Sequence, residues 1–481
     1  MKKNLIYILL ISFTFYACSD FLDQEPGEQI SIKEQLSNKN GVLSALNGIY
    51  RDIEGLLSAR EIIYADLQGG NITFTPSTVI KLIEIPTIIE NSYNFSDLAD
   101  ESNYETYYSD LYEIINQSNV LLFYFDEFTF LTTEEQNQLK AELLTIRAFA
   151  HYQLCIHYAQ NYNFTTNASH LGIVYNTKPL TIGKDFPFRL TVAETYNQLK
   201  LDLDTALDLF TNTPSLPGPD YSYFNTKTTQ ALYARIALQM NDWEKAFSLS
   251  DTVIKTSGIT LTNKENYISE WEADETPVSE IILEFSAPRT TEGQVSSSIS
   301  AHFIYNSNSN YGRYVASEDL VNLYNDEDIR KNMFLEINLP TNTDNIVTNQ
   351  TYYFTKKFQG NAGTSFIRLS EMYLIRAEAN ARLNLFEDAL TDLNTIRTRA
   401  NLPILTDDSN ILNDIFMERR KELAFEGHLL FDSVRFKKGI DRNSGCISTV
   451  CSLAYPSSKF ILPIPQSSTQ LNENITQNED Y

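Results

Sequence analysis

FIRLSEMYLIRAEANARLNLFEDALTDLNTIRTRANLP, from Phe366 to Pro403, and IFMERRKELAFEGHLLFDSVRF, from Ile415 to Phe436, carry the spacing that decides the fold. The run from Phe366 to Phe436 reads as three consecutive helices. Leu369, Met372 and Tyr373 share a face of the first, and Ala377, Ala379 and Ala381 leave room for a neighbour to approach. The second repeats apolar residues at Phe386, Ala389, Leu390, Leu393 and Ile396, the i, i+3, i+4, i+7 pattern of an amphipathic helix. Pro403 stops it. Ser409 is placed to cap the third helix, whose stripe is Leu412, Ile415, Phe416 and Leu423, and Gly427 sits where a C′ glycine would end it.

The first two of these helices meet at Leu383–Asn384–Leu385 with small residues at the crossing, as in a tetratricopeptide-type hairpin. Such a hairpin cannot bury its own faces, so further helices must stack against it. They are present upstream. Helices are expected over Gln35–Leu57, Tyr104–Phe125, a run capped by Thr133 and reaching about Tyr162, Thr191–Phe210, and a second hairpin, Asn225–Met240 with Trp243–Thr256. Tyr104, Tyr107, Tyr108 and Tyr112 recur at helical spacing and read as packing between helices. Tyr64–Asn94 has no period and reads as a long structured loop, a length that in compact proteins points to function. Between Ser257 and Gly363, strand-like runs such as Ile281–Phe285 and Tyr352–Phe358 lie among Asn, Ser, Thr and Gly. The expected fold is mainly α: a tetratricopeptide-like helical hairpin scaffold with irregular loops and a few short strands. Its expected divisions are a signal peptide (1–17), a tether (18–34), an N-terminal helical region (35–256), a loop and strand insertion (257–365) and a C-terminal helical region with an irregular tail (366–481).

The N-terminus adds a destination. Lys2 and Lys3 precede an apolar run from Leu5 to Phe15 and then Tyr16–Ala17–Cys18, the layout of a secretory signal peptide too short to span a bilayer. A small residue before Cys18 points to a bacterial lipoprotein acylated on that thiol, so the expected chain is tethered to a membrane by lipid alone. Cys155 falls inside an apolar helix and reads as core. Cys446 and Cys451, close together in a loop of an exported protein, are candidates for a local disulfide. With 42% hydrophobic residues the 481-residue chain can bury a large core. A net charge of −25 argues against nucleic acid and anionic membrane surfaces as partners and says little about a ligand.

Motifs scattered over most of this length resemble the SusD/RagB family of Bacteroidetes surface lipoproteins. They include CSDFLDQEP after the signal peptide, Leu46–Asn47–Gly48–Ile49–Tyr50, Leu111–Tyr112 with Ser118–Asn119, and Glu142 with Arg147–Ala148 and Tyr152. Further on come Asp202–Leu203, Ala234–Arg235, Asp242–Trp243, Glu418–Arg419, Glu422–Leu423, Glu426–Gly427 and Leu462–Pro463–Ile464–Pro465. Tyr108 and Phe436 stand where the family commonly has Trp, Ala159 where it has Gly, and His428 where it has Arg. The resemblance implies a lipid-anchored protein of the outer-membrane surface that captures oligo- or polysaccharide and delivers it to a SusC-like TonB-dependent β-barrel. It does not carry over the identity of the glycan.

The residues themselves offer little chemistry. There is no HExxH, nucleophile elbow or phosphate-cradling glycine loop, so no catalytic residue, cofactor or metal is expected. Glu418, Glu422 and Glu426 share the pattern of one helix face, and a carboxylate pair could hydrolyse a glycosidic bond. Their alternation with Arg419, Arg420 and Lys421 favours an ion-paired structural network instead, and Arg147 and Asp432 read the same way. Sugar binding asks for aromatic faces beside amides and guanidinium groups. The candidates are Phe74 and Tyr93 in the first long loop, Trp271, and the cluster Tyr305, Asn308, Tyr311, Arg313 and Tyr314. Rival readings are an exported α-helical glycoside hydrolase using Glu418 and Glu422, and a scaffold binding peptides, other nutrients or a protein partner.

Overall fold

The computed structural model describes residues 31–181, 183–211, 213–273, 276–285 and 298–481. The expected signal peptide and Cys18 lie outside the described residues. Helix α1 (Lys39–Leu57) starts at Asn38, whose side chain accepts the Gly41 N–H at 3.0 Å, and buries Val42, Leu46, Ile49, Tyr50 and Ile53. Helices α2 (Glu105–Phe123), α3 (Thr133–Tyr158) and α4 (Val192–Leu209) follow, then the hairpin α5 (Thr226–Gln239) and α6 (Trp243–Thr256). The cap of α3 belongs to Thr132 rather than Thr133. Thr132 accepts the Glu135 N–H at 3.3 Å while the Glu135 carboxylate accepts the Thr132 N–H at 2.9 Å, a reciprocal capping box.

The organising stretch folds as α7 (Leu369–Arg382), α8 (Phe386–Arg399) and α9 (Ile411–Glu422), and adds a fourth, short helix at Leu429–Arg435 where three were expected. Neighbours in the order α2–α3–α4 and α5–α6–α7–α8 pack on one another, so the hairpins stack as tetratricopeptide-like pairs. Two expectations about α9 change. Its N-cap is Asn410, which makes no side-chain capping bond, and the expected cap Ser409 donates its hydroxyl to Asp407 at 2.9 Å instead. Gly427 lies beyond the helix end, at φ +79°, where its N–H reaches Asp66 and an added Cβ would sit 2.6 Å from the Ile62 carbonyl. The left-handed backbone and the close approach both require glycine there.

The strands that precede α7 are β1 (Ile72–Phe74), β2 (Ile281–Phe285), β3 (Tyr305–Ser307), β4 (Asn310–Tyr311), β5 (Tyr314–Ala316), β6 (Phe334–Thr343), β7 (Ile346–Thr355) and β8 (Thr364–Arg368). One antiparallel sheet runs β1-β5-β7-β6, which draws the first long loop and the insertion together. Three further antiparallel pairs are β2 with β8, β3 with β4, and Ile440–Asp441 with Ser452–Leu453. The long β6–β7 hairpin goes beyond the expected Tyr352–Phe358 run; it turns at Asp344–Asn345, both in the left-handed region (φ 52° and 65°), which suits a tight hairpin turn.

The main core runs continuously from α1 to α7 and into the tail. A second, built from Leu374, Ala377, Leu393, Ile396, Ile411 and Ile415, joins α7, α8 and α9. The tail closes back on α3: the Leu462 N–H donates to the His157 carbonyl at 2.8 Å, and the Asn478 amide donates to the Tyr158 carbonyl at 2.9 Å.

Candidate functional site

The amide-rich segment expected to touch ligand forms a small outcrop with a core of its own. Val315, Leu339, Tyr352 and Phe354 are buried beneath the β3–β4 hairpin, with Ile83, Ile337, Tyr305 and Tyr311 packed partly over them. Tyr305 and Tyr311 face each other across the hairpin. Their ring centroids lie 5.2 and 6.0 Å from that of Phe354. Each ring therefore has an apolar support while remaining half-buried rather than covered. The hydroxyls fix the rings: Tyr305 donates to the Asn308 side chain at 2.7 Å, and Tyr311 to the Pro76 carbonyl at 3.0 Å. Burial pushes the Tyr311 phenol above its ordinary pKa, so it remains a neutral donor at physiological pH.

Gly312 lets the hairpin sit this close. A Cβ there would lie 2.3 Å from the His302 carbonyl, and the Gly312 N–H donates to Ile304 at 2.7 Å. On the other side, the Thr75 hydroxyl donates to the Gly312 carbonyl at 2.9 Å and the Thr75 N–H to the Arg313 carbonyl at 3.0 Å. The turn after β1 completes the rim with exposed Val79, Ile80 and Leu82. Its Lys81 carbonyl accepts the Asn342 N–H of β6 at 2.8 Å. The outcrop is an open shelf of two supported aromatic rings among Asn and Ser side chains, suited to stacking the CH face of a sugar and bonding its hydroxyls.

Of the aromatic candidates, the structure brings Tyr305, Asn308, Tyr311 and Arg313 together on this shelf and takes the others elsewhere. Phe74, Tyr93, Tyr314 and Trp271 are 1–4% exposed. Phe74 and Tyr93 meet edge to face at 4.9 Å, Tyr314 packs against Phe74 at 5.7 Å, and the Arg442 guanidinium covers Tyr93 at 4.1 Å. Trp271 lies against Phe358 and beneath Lys357, 4.8 Å from its centroid. With their faces taken by protein, these four rings are core rather than platforms. Cys446 and Cys451 are joined by a disulfide.

The carboxylates weighed as catalytic are occupied. Glu418 and Glu422 are on α9 while Glu426 lies past its end, and all three are buried. Glu422 meets Arg330 at 2.9 Å and Arg368 at 2.6 Å, and also pairs with Arg399. Glu426 meets Lys357 at 2.6 Å and Arg368 at 2.8 Å. Glu418 meets Arg330 at 2.6 Å and Lys421 at 3.1 Å. Burial alone would raise the Glu422 carboxyl, but Arg399, Arg368 and Arg330 outweigh it and hold the group well below the usual carboxylate range. With both oxygens paired and its charge held at neutral pH, Glu422 has neither a proton to give there nor a free oxygen with which to attack. Arg147 with Asp202 at 2.6 Å, and Asp432 with Arg419 at 2.9 Å, are structural pairs of the same kind.

Known proteins match at both ends of the chain. A family described as the SusD family matches residues 340–481, and one described as starch-binding associating with outer membrane matches residues 20–238. The chain belongs to the SusD/RagB family. Among its SusD-like relatives, a SusD-like protein of Formosa agariphila is 22% identical over 90% of each chain. A SusD superfamily structure from Bacteroides thetaiotaomicron is 25% identical, with a TM-score of 0.80 over 92% of this chain and 99% of that one. A putative sugar binding protein from Bacteroides vulgatus is also 25% identical, with a TM-score of 0.79 over 94% and 100%. Among the described residues of this SusD/RagB chain, no helix is long and apolar enough to cross a membrane.

Proposed function

We propose that this SusD/RagB protein is a non-catalytic glycan-binding lipoprotein of the outer-membrane surface. Anchored through Cys18, it captures oligo- or polysaccharide and hands it to a SusC-like TonB-dependent β-barrel. The observation that carries the binding role is the pair Tyr305 and Tyr311, each supported by Phe354 and ringed by amides, in a chain whose relatives include a sugar-binding protein. The ion pairing of Glu418, Glu422 and Glu426 supports a non-catalytic role over the glycosidase reading. An open shelf suits a polymer, for which micromolar to millimolar affinity, roughly −8 to −4 kcal/mol, is sufficient.

The test is affinity electrophoresis of the purified chain against a polysaccharide panel, repeated with Tyr305→Ala and Tyr311→Ala. Retention by at least one polysaccharide that either substitution weakens about tenfold, with no reducing ends released, is the expected result; a shelf stack is worth about 1–2 kcal/mol. Turnover of a saccharide, or no retention by any member, defeats the reading. Cys18→Ala should release the protein from the membrane fraction, and co-purification with the barrel tests the hand-over.

A further inference from the structure

The shelf differs in charge from the rest of the chain. The protein carries 62 Asp and Glu against 37 Lys and Arg. Yet the segments that build the shelf, residues 76–83, 298–317, 337–343 and 346–355, contain no Asp or Glu, and their only Lys or Arg residues are Lys81 and Arg313. Acidic residues border these segments, at Glu84, Glu318, Glu336 and the Asp344 turn, without entering them. Lys81 is partly engaged, donating to the Thr78 carbonyl at 2.6 Å.

Arg313 is half-buried at the bend between β4 and β5, with Gly312 between it and Tyr311, and its charge acts on the Tyr311 phenol. Its guanidinium has no hydrogen bond or ion pair among the described residues. Elsewhere Arg147, Arg235, Arg330, Arg368, Arg399 and Arg435 meet carboxylates, while Arg189, Arg420 and Arg442 donate instead to carbonyl or amide oxygens. A cation left without a counter-charge beside two supported aromatic rings, in an otherwise acidic protein, is a receptor for a negative group on whatever stacks there. Guanidinium presents parallel donors that match carboxylate and sulfate oxygens two at a time.

We infer, building on the glycan-binding reading above, that the shelf takes a polysaccharide bearing anionic substituents, with Arg313 receiving the charged group while Tyr305 and Tyr311 stack the ring. The overall charge of −25 does not forbid this. At physiological ionic strength fields decay over about 8 Å, so the local cation decides and distant carboxylates are screened.

The test uses matched pairs that differ in charge alone: polygalacturonate against its methyl ester, and dextran sulfate against dextran, with alginate and amylopectin added. Each is run in affinity electrophoresis at 0.15 M salt or its calorimetric equivalent, roughly physiological strength. Retention by a charged member over its neutral counterpart is expected, with the uronate and sulfate arms separating the two sources of charge. Arg313→Gln should weaken that retention by roughly 10- to 100-fold, the range for a hydrogen bond to a charged group. Arg313→Lys should retain part of it and keep the salt dependence, and the unfolding midpoints of both variants report that they fold. Retention of neutral polymers alone, or charged binding indifferent to Arg313→Gln in a folded protein, overturns the inference and leaves glycan binding standing. Failure to bind any saccharide overturns both.

Discussion

Replacing Arg368 by methionine removes the centre of the buried charge network while keeping much of the side chain's length. Arg368 is fully buried, and its guanidinium pairs with Glu280, with Glu422 at 2.6 Å and with Glu426 at 2.8 Å. Methionine leaves three buried carboxylates to share Arg330, Lys357 and Arg399. Taking one partner out of a buried ion pair costs about 3–5 kcal/mol, because the charges left behind cannot be hydrated. Unfolding entropy of about 2.1 cal/mol/K per residue gives roughly 1 kcal/mol per kelvin for a chain of this length. The unfolding midpoint should therefore fall by about 3–5 °C in circular dichroism melts. Arg368→Lys should lie between the two, since it keeps the charge and loses the fork. Lys178→Ala, which breaks an exposed pair with Asp185, should move the midpoint by less than about 1 °C. Adding Glu422→Gln to Arg368→Met should do less harm than the sum of the two, because neighbours in one network do not act independently. If Arg368→Met shifted the midpoint no more than Lys178→Ala, the network would not be holding the insertion to the C-terminal helices.

His157 is held neutral, pushed down to about 4 by burial, so its contribution is complete above pH 6.5 and is lost as the pH falls toward 4. His157→Phe should flatten the denaturant midpoint over that window; Asp66 and Asp97, each raised to about 6 by burial, act in the opposite sense, so the difference between the two proteins is the quantity to read. The network carboxylates Glu418, Glu422 and Glu426 are held below the ordinary carboxylate range by the cations around them, so their contribution is present above that range and should be lost as the pH falls through their lowered values, as cooperative acid unfolding. Gly312→Ala should abolish glycan retention while leaving the melting midpoint within about 2 °C, because the shelf has its own small core. Replacing Cys446 and Cys451 by serine should lower stability by about 2 kcal/mol, the chain-entropy value for a loop closed over five residues of separation.

The helices were legible because α1, α8 and α9 show one apolar stripe each, and α3 shows one too, Leu143, Ile146, Ala150, Leu154 and Tyr158, although it is buried on all sides from Ala141 to Cys155. Local signals were less reliable at the ends. Thr132 and Thr133 are both competent caps, and the choice rests on which one has Glu three residues on. Of the β6–β7 hairpin only the Tyr352–Phe358 run was readable, since the solvent-facing Asn and Thr residues of the rest lack the alternation of a half-buried strand. The site was half readable. An aromatic residue in an irregular segment does not declare what covers it, so Trp271 and Tyr305 look alike in sequence although Lys357 and Phe358 enclose the first. The ion network was inferred from the alternation of Glu418–Glu422 with Arg419–Lys421. Its principal cations are instead Arg330, Lys357, Arg368 and Arg399, which no local spacing relates to α9.

The clasp of the tail on α3 joins residues about three hundred positions apart; Asn478 and Tyr158 are separated by 320. Contacts over such distances form late. A chain made from its front end has the middle of the scaffold in place before the strap that secures α3 exists. Native assembly then waits for the final two dozen residues, and until they dock the end of α3 lacks the partners that close over it.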